Sequence, residues 1–240
     1  FAEKIVVSEK MAFTIPKSFP HKIAAGVFMV YGTSYHGLVQ RAKINKEDEV
    51  LVLGAAGGVG LAAVDIAKSF GARVVAAVST KEKAEVCKGY GVDDVVIYGK
   101  EKLDKEGQKA LTKELKSKSV RGGFSIIYDP IGDCFAEPAL RSICWGGTYL
   151  VVGFAAGKIP LFPTNLMLLK GCAVSGVFIG RFQQEEPQQN AQNLKEIGEL
   201  LDSGKLTPFI SETIPMSKSV DAIERIAKRG VVGKVVFIND

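Results

Sequence analysis

The sequence predicts an α/β protein built on a doubly wound parallel sheet, and three observations carry that reading. An all-apolar run at residues 50–53 leads at once into Gly54-Ala55-Ala56-Gly57-Gly58-Val59-Gly60. Apolar residues then recur at helical spacing, at Val59, Ala63, Ile66, Ala67 and Phe70. From there to residue 178, short β-branched runs alternate with helical patterns. That alternation is the mark of parallel strands joined by helical crossovers.

Taken in chain order, Lys4-Ile5-Val6-Val7 reads as a strand within a strand-like, proline-bounded first twenty residues. Residues 50–53 are the first sheet strand and 61–70 its helix, stopped by Gly71 as a left-handed cap. Residues 73–78 form a second strand and 82–88 a short helix; residues 95–98 form a third strand and 103–116 a charged helix. The fourth strand, 124–128, ends in Asp129-Pro130 and precedes a helix at 135–143 and a fifth strand at 148–152. A proline-containing loop at 159–165 leads to an apolar sixth strand, 173–178, expected at the sheet edge. The Gln-rich stretch 183–192 reads as a loop entering an amphipathic helix at 192–201, closed by Asp202-Ser203-Gly204. A strand at 209–214, a helix at 220–228 and a strand at 234–238 end the chain, and the two chain ends are expected to pair in a small second lobe. Right-handed crossovers put ligands at the carboxyl ends of the parallel strands.

The 240 residues fit one large domain, or one domain plus part of another. A net charge of +5 suits an anionic ligand without identifying nucleic acid. The densest basic stretch, 100–121, is interleaved with Glu101, Asp104, Glu106 and Glu114 and has no aromatic residue for a base to stack on. Four glycines and Asp65 break the apolar stretch too early for a membrane span. The cysteines at 87, 134, 144 and 172 form no C-x-x-C pair, which argues against a zinc knuckle and against a disulfide framework. A reducing compartment follows, the cytoplasm by default. A mitochondrial address stays open, because the first residue already lies in a predicted strand and the natural start is expected upstream.

Strand, glycine turn and helix in this order cradle a pyrophosphate. Glycines let the backbone approach, and the free N–H groups of the helix start bind the charge. This is the Rossmann arrangement for dinucleotides, with Ala55 at the first glycine of G-x-G-x-x-G and with Ala56, Gly57, Gly58, Val59 and Gly60 as contacts. The plainer alternative is a tight strand–helix turn in another α/β protein. A P-loop is excluded, since no Gly-Lys-Ser/Thr follows. An enzyme for NAD carries Asp or Glu at the end of the second strand. Here the chain reads Val78-Ser79-Thr80-Lys81-Glu82-Lys83, whose hydroxyls and lysines suit the 2′-phosphate of NADPH. Two plainer readings stand beside it: Ser79 has capping-box spacing to Glu82, and the lysines suit an ordinary surface. The spacing Tyr98-x-x-x-Lys102 matches short-chain dehydrogenases but lies at a strand end instead of along a long helix. His21 and His36 lie outside the crevice strands and read as structural.

The chain resembles the zinc-free quinone oxidoreductases of the medium-chain dehydrogenase/reductase superfamily, the zeta-crystallin-like branch. The likeness rests on Tyr31-Gly32-Thr33-Ser34, the glycine turn, Tyr128-Asp129-Pro130-Ile131-Gly132, Val152-Gly153-Phe154-Ala155 and Gly233-Lys234-Val235-Val236. It implies remnants of a GroES-like β lobe at both chain ends. Residues 1–20 would end that catalytic lobe, 21–207 form the NADP-binding domain and 208–240 return to the lobe, most of which lies outside this sequence. It implies that Ser79, Lys83, Tyr98 and Arg229 surround the 2′-phosphate. Thr33, the one catalytic candidate, would stand beside the nicotinamide, with Gly153 and Phe154 as its wall; on residue type alone Phe154 suits plain core equally. Met29 stands where zinc relatives carry a cysteine ligand, so no metal is expected. The implied reaction passes hydride from NADPH to a quinone or other α,β-unsaturated carbonyl. The implied assembly is a homodimer through the sixth strand, with no nucleic acid or membrane partner. The rival reading is an NADPH-binding protein without turnover, as a sensor or structural protein.

Overall fold

A computed structural model describes residues 1–9, 12–15, 19–228 and 230–239. Six strands form one parallel sheet: β1 (Glu49–Leu53), β2 (Arg73–Val78), β3 (Asp94–Ile97), β4 (Phe124–Asp129), β5 (Ile143–Val151) and β6 (Ala173–Gly176). Their order across the sheet is β3-β2-β1-β4-β5-β6, with β6 at the edge as the sequence predicts. The chain winds outward from β1 to β3, then returns to the other side of β1, so the direction reverses between β1 and β4. That switch point opens a crevice at the carboxyl ends of the strands.

The strands are apolar on both faces because each face has its own core. Alternate residues of β1 go opposite ways. Val50 and Val52 join Val74, Ala76, Tyr128 and Leu150 in one cluster with helices α1 (His21–Tyr35) and α2 (Gly58–Ser69). Leu51 and Leu53 join Val75, Ala77, Ile127 and Tyr149 in the other, with α4 (Lys105–Lys118) and α5 (Ala136–Arg141). Helix α2 is alanine-rich and buries Gly60 through Ala67 without a gap, whereas α4 buries only Leu111 and Leu115. Gly71, at φ 78°, ends the α2 unit as expected.

Several elements differ from the sequence reading. Residues 4–7 are not a strand: among the described residues no strand offers them hydrogen bonds, and Val6 is 98% exposed. Helix α1 and the π-helical turn His36–Arg41 after it were not anticipated. Helix α3 (Lys81–Gly89) is capped by Thr80, whose side chain accepts from the Lys83 amide, and not by Ser79. Strand β5 starts five residues earlier than predicted. The loop before β6 contains α6 (Thr164–Lys170), closed by Gly171 in the left-handed region. The Gln-rich stretch is helical: α7 (Ile179–Glu185) and α8 (Pro187–Asp202) meet at Glu186, where Pro187 starts the new helix without an amide to satisfy. Past the sheet, β7 (Ile210–Pro215) and β8 (Lys234–Ile238) pair parallel with each other, joined through α9 (Ser219–Ala227). They pair with each other and not with the described residues among the first twenty; of those, Phe1 touches the Phe237 ring. Among the described residues no helix is long and apolar enough to cross a membrane.

Candidate nucleotide site

A cavity of about 470 Å³ opens at the switch point, at the carboxyl ends of β1, β2, β3 and β4. Its floor is the glycine turn: Gly54, Ala56, Gly57, Gly58 and Val59 line it. Gly54 takes φ 57°, and the Gly57 amide closes the turn onto its carbonyl at 2.9 Å. The left-handed residue is thus one position before the fingerprint, which is why Ala55 is tolerated at the first glycine and buried in the core. Gly60 faces inward. A Cβ there would overlap the Gly54 carbonyl and lie 2.8 Å from the Ala55 Cα, so the helix could not close on the turn.

One wall comes from the ends of β2 and β3. Ser79 and Lys83 line it together, with Lys83 Nζ donating to Ser79 Oγ at 3.3 Å. Tyr98 follows β3 and stacks tilted on Phe135, ring centroids 4.6 Å apart, and both rings line the cavity. The other wall is the turn after β4, Pro130 and Ile131, held by Asp129. The buried Asp129 carboxylate accepts from the amides of Ile131 and Gly132 and from Tyr149 Oη at 2.6 Å. Burial pushes this carboxyl above its ordinary range, although those three hydrogen bonds favour the anion. The Lys228 and Val231 side closes the cavity, where the Gly233 amide binds the Ala56 carbonyl at 2.8 Å.

The structure therefore brings together Ala56, Gly57, Gly58, Val59, Ser79, Lys83 and Tyr98, and Gly60 acts from behind. Gly153 and Phe154 do not line this cavity. Phe154 is 41% exposed, which removes the plain-core alternative for it. Thr33 is buried on α1, its hydroxyl bound to the Met29 carbonyl at 2.7 Å, and also lies off the cavity lining. Arg229 lies outside the described residues. Lys100 and Lys228 line the cavity without having been singled out. Lys100 follows Tyr98 by two residues and Lys228 precedes Arg229, so proximity to chosen residues was the only signal. Among the described lining residues three are lysines and none is Asp or Glu. His36 is buried and stacked on Phe182, centroids 3.9 Å apart, as a structural reading requires.

Residues 58–196 match the family described as zinc-binding dehydrogenase. A quinone oxidoreductase-like protein 2 homolog of Nematostella vectensis is 34% identical over 98% of this chain and 63% of that protein. An acryloyl-coenzyme A reductase of Sulfurisphaera tokodaii is 27% identical, over 98% of this chain and 64% of that protein. This chain thus spans less than two thirds of these relatives' length. Among solved structures, Escherichia coli quinone oxidoreductase complexed with NADPH superposes with a TM-score of 0.84 at 23% identity, covering 95% of this chain and 68% of that one. The described residues do not fit the zinc of the family's name. No group of three or more His, Cys, Asp or Glu side chains among them could hold a metal ion, and the exposed Met29 offers only a thioether. With its Rossmann sheet, its glycine turn and these relatives, the chain belongs to the zinc-binding dehydrogenase family, among its quinone oxidoreductase-like members.

Proposed function

We propose that this chain is the nucleotide-binding part of an oxidoreductase that takes NADPH in preference to NADH and serves a quinone or another α,β-unsaturated carbonyl. The carrying observation is the end of β2. No carboxylate stands there to hold a ribose 2′-hydroxyl, and Ser79 and Lys83 line the cavity in its place. Gly57, Gly58 and Val59 would hold the pyrophosphate at the start of α2. Tyr98 would flank the adenosine 2′-phosphate, and Arg229 would join it there. When bound, the nicotinamide supplies the hydride, and the protein contributes its placement. Thr33, Gly153 and Phe154 are assigned to the nicotinamide end. The acceptor class is supported by the quinone oxidoreductase-like relatives and by the acryloyl-coenzyme A named for the Sulfurisphaera tokodaii reductase.

We assign residues 1–20 and 208–240 to the border of a GroES-like lobe and residues 21–207 to the nucleotide domain. The β7–β8 pair, separate from the six-stranded sheet, supports that division. The apolar edge strand β6, with Val174 partly exposed, supports a homodimer that continues the sheet across a two-fold axis. Titration calorimetry with both nucleotides tests the cofactor reading: NADPH is expected to bind at least tenfold tighter, about 1.4 kcal/mol, and equal affinities would overturn it. Turnover assays with small quinones and enones separate the reductase from a nucleotide-binding protein without turnover. Tight NADPH binding with no turnover on any acceptor would favour the latter.

A further inference from the structure

Strands β3 and β4 are not neighbours. Two strands lie between them, so three sheet spacings, roughly 14 Å, separate their ends. The loops that follow these strands nevertheless meet above the crevice, and three contacts join them. The Tyr98 ring stacks on Phe135. The Leu103 amide donates to Cys134 Sγ at 3.3 Å. Lys102 Nζ lies 3.2 Å from Asp133 Oδ2. That oxygen is buried and has no hydrogen-bond partner among the described residues, so the lysine charge is what balances it. Asp133 also takes φ 53°, directly after Gly132 at φ 64°. A left-handed non-glycine residue costs energy and persists where its surroundings over-determine it. Here the determinants are the Lys102 pair and the Asp133 amide on the Lys158 carbonyl at 3.0 Å.

We infer that Asp133, acting through Lys102, is a positioning residue for the nucleotide. The pair fixes the β3 and β4 loops as one wall and sets Tyr98 against Phe135 before the adenosine half arrives. A preformed wall spares binding the cost of ordering two loops. The inference rests on the nucleotide reading above. Neither residue lines the cavity, so the effect runs through the placement of Tyr98 and Phe135 and belongs to binding.

The test compares wild type, Lys102→Met, Lys102→Arg and Asp133→Asn by titration with NADPH and with 2′,5′-ADP, which carries the adenosine end alone. Met keeps the stem of an already exposed side chain, and Asn tolerates the left-handed region. Lys102→Met and Asp133→Asn are each expected to weaken both ligands about tenfold, and Lys102→Arg to stay within about twofold of wild type. If Asp133→Asn fails to fold, the two Lys102 variants decide alone. A drop in melting temperature with unchanged affinities would overturn the inference, because the pair would then only stabilise the fold. Loss of NADPH affinity with 2′,5′-ADP untouched would overturn it as well. Failure of wild type to bind NADPH would instead overturn the nucleotide reading itself.

Discussion

The hydroxyls of Ser34 and Tyr128 lie 2.8 Å apart in the core and tie α1 to β4. Ser34 Oγ also donates to the Val59 carbonyl at 2.9 Å, so its one proton is used and Tyr128 must donate to it. One serine thereby links the long helix, the central strand and the first turn of the phosphate-binding helix. The two ends of this link are unequal. Tyr128→Phe removes one hydrogen bond and leaves Ser34 still bonded, at a cost of about 0.5–1.5 kcal/mol. Ser34→Ala strands the Tyr128 hydroxyl, while the Val59 carbonyl keeps its helical bond within α2, and should cost about 1–3 kcal/mol for the one group left buried and unpaired. Urea denaturation of the two variants checks the order, which would be reversed if the link did not run this way.

Lys83→Ala should weaken NADPH about tenfold or more and leave NADH nearly unchanged, because a charge-assisted bond to phosphate exists only with the former. Calorimetric titration of both nucleotides reads the difference. Equal losses for the two would mean that the lysine serves the wall and not the phosphate.

Gly60→Ala should destabilise by about 1–3 kcal/mol or more, since its Cβ would meet the Gly54 carbonyl and the Ala55 backbone, which cannot move aside. Gly58→Ala should be milder, because the atom it meets at 2.8 Å is the Lys234 Cδ, on a flexible stem. Thermal melts of both, and NADPH titration of whichever stays folded, test the contrast.

Asp65 is buried on α2 and accepts from Tyr31 Oη and the Thr207 amide, both at 2.7 Å. Burial nonetheless raises its pKa above the ordinary 3.8. A carboxyl raised in the folded state contributes stability below its unfolded pKa and loses it as pH rises through the folded one. Against an Asp65→Asn reference, wild type should therefore lose stability as pH climbs from about 4. Denaturant midpoints across a pH series measure it, and a rise instead of a fall would show that the two hydrogen bonds outweigh burial.

Val174→Lys places a charge in the middle of the edge strand and should yield monomers from a dimeric parent. Light scattering on both proteins decides this, and a monomeric parent removes the assembly proposal.

The sheet was legible in the sequence because its strands are buried on both faces, which writes them as short unbroken apolar runs such as Val50 to Leu53. Their parallel pairing followed from the helices between them, whereas the order β3-β2-β1-β4-β5-β6 came only with the fold. Helix α1 was not legible, because it is apolar around much of its circumference, contains Gly26 and Gly32, and starts at Pro20 with no side-chain cap. Pro160 and Pro163 hid α6, and the polar run after Phe182 hid the break at Pro187. Ser79 and Lys83 were legible as the hydroxyl and lysine that stand where the second strand ends without an acid, and Tyr98 only through the family resemblance. Lys100 and Lys228 were not, since they reach the cavity from segments whose meeting only the tertiary fold sets. The stacking of Tyr98 on Phe135 is likewise invisible in a sequence that separates them by 36 intervening residues.

The uneven anchoring of α2 and α4 bears on how this molecule breathes. Amide protons exchange with solvent through local openings, and an opening is cheap where few apolar contacts are lost. Helix α4 can lift by releasing two leucines, whereas α2 must surrender eight consecutive buried positions. Deuterium should therefore enter from the α4 side long before it reaches the helix behind the glycine turn. The floor of the nucleotide cleft would keep its shape while the outer layer next to Tyr98 and Lys102 opens and closes, so a slow floor and a fast rim are built into one sheet.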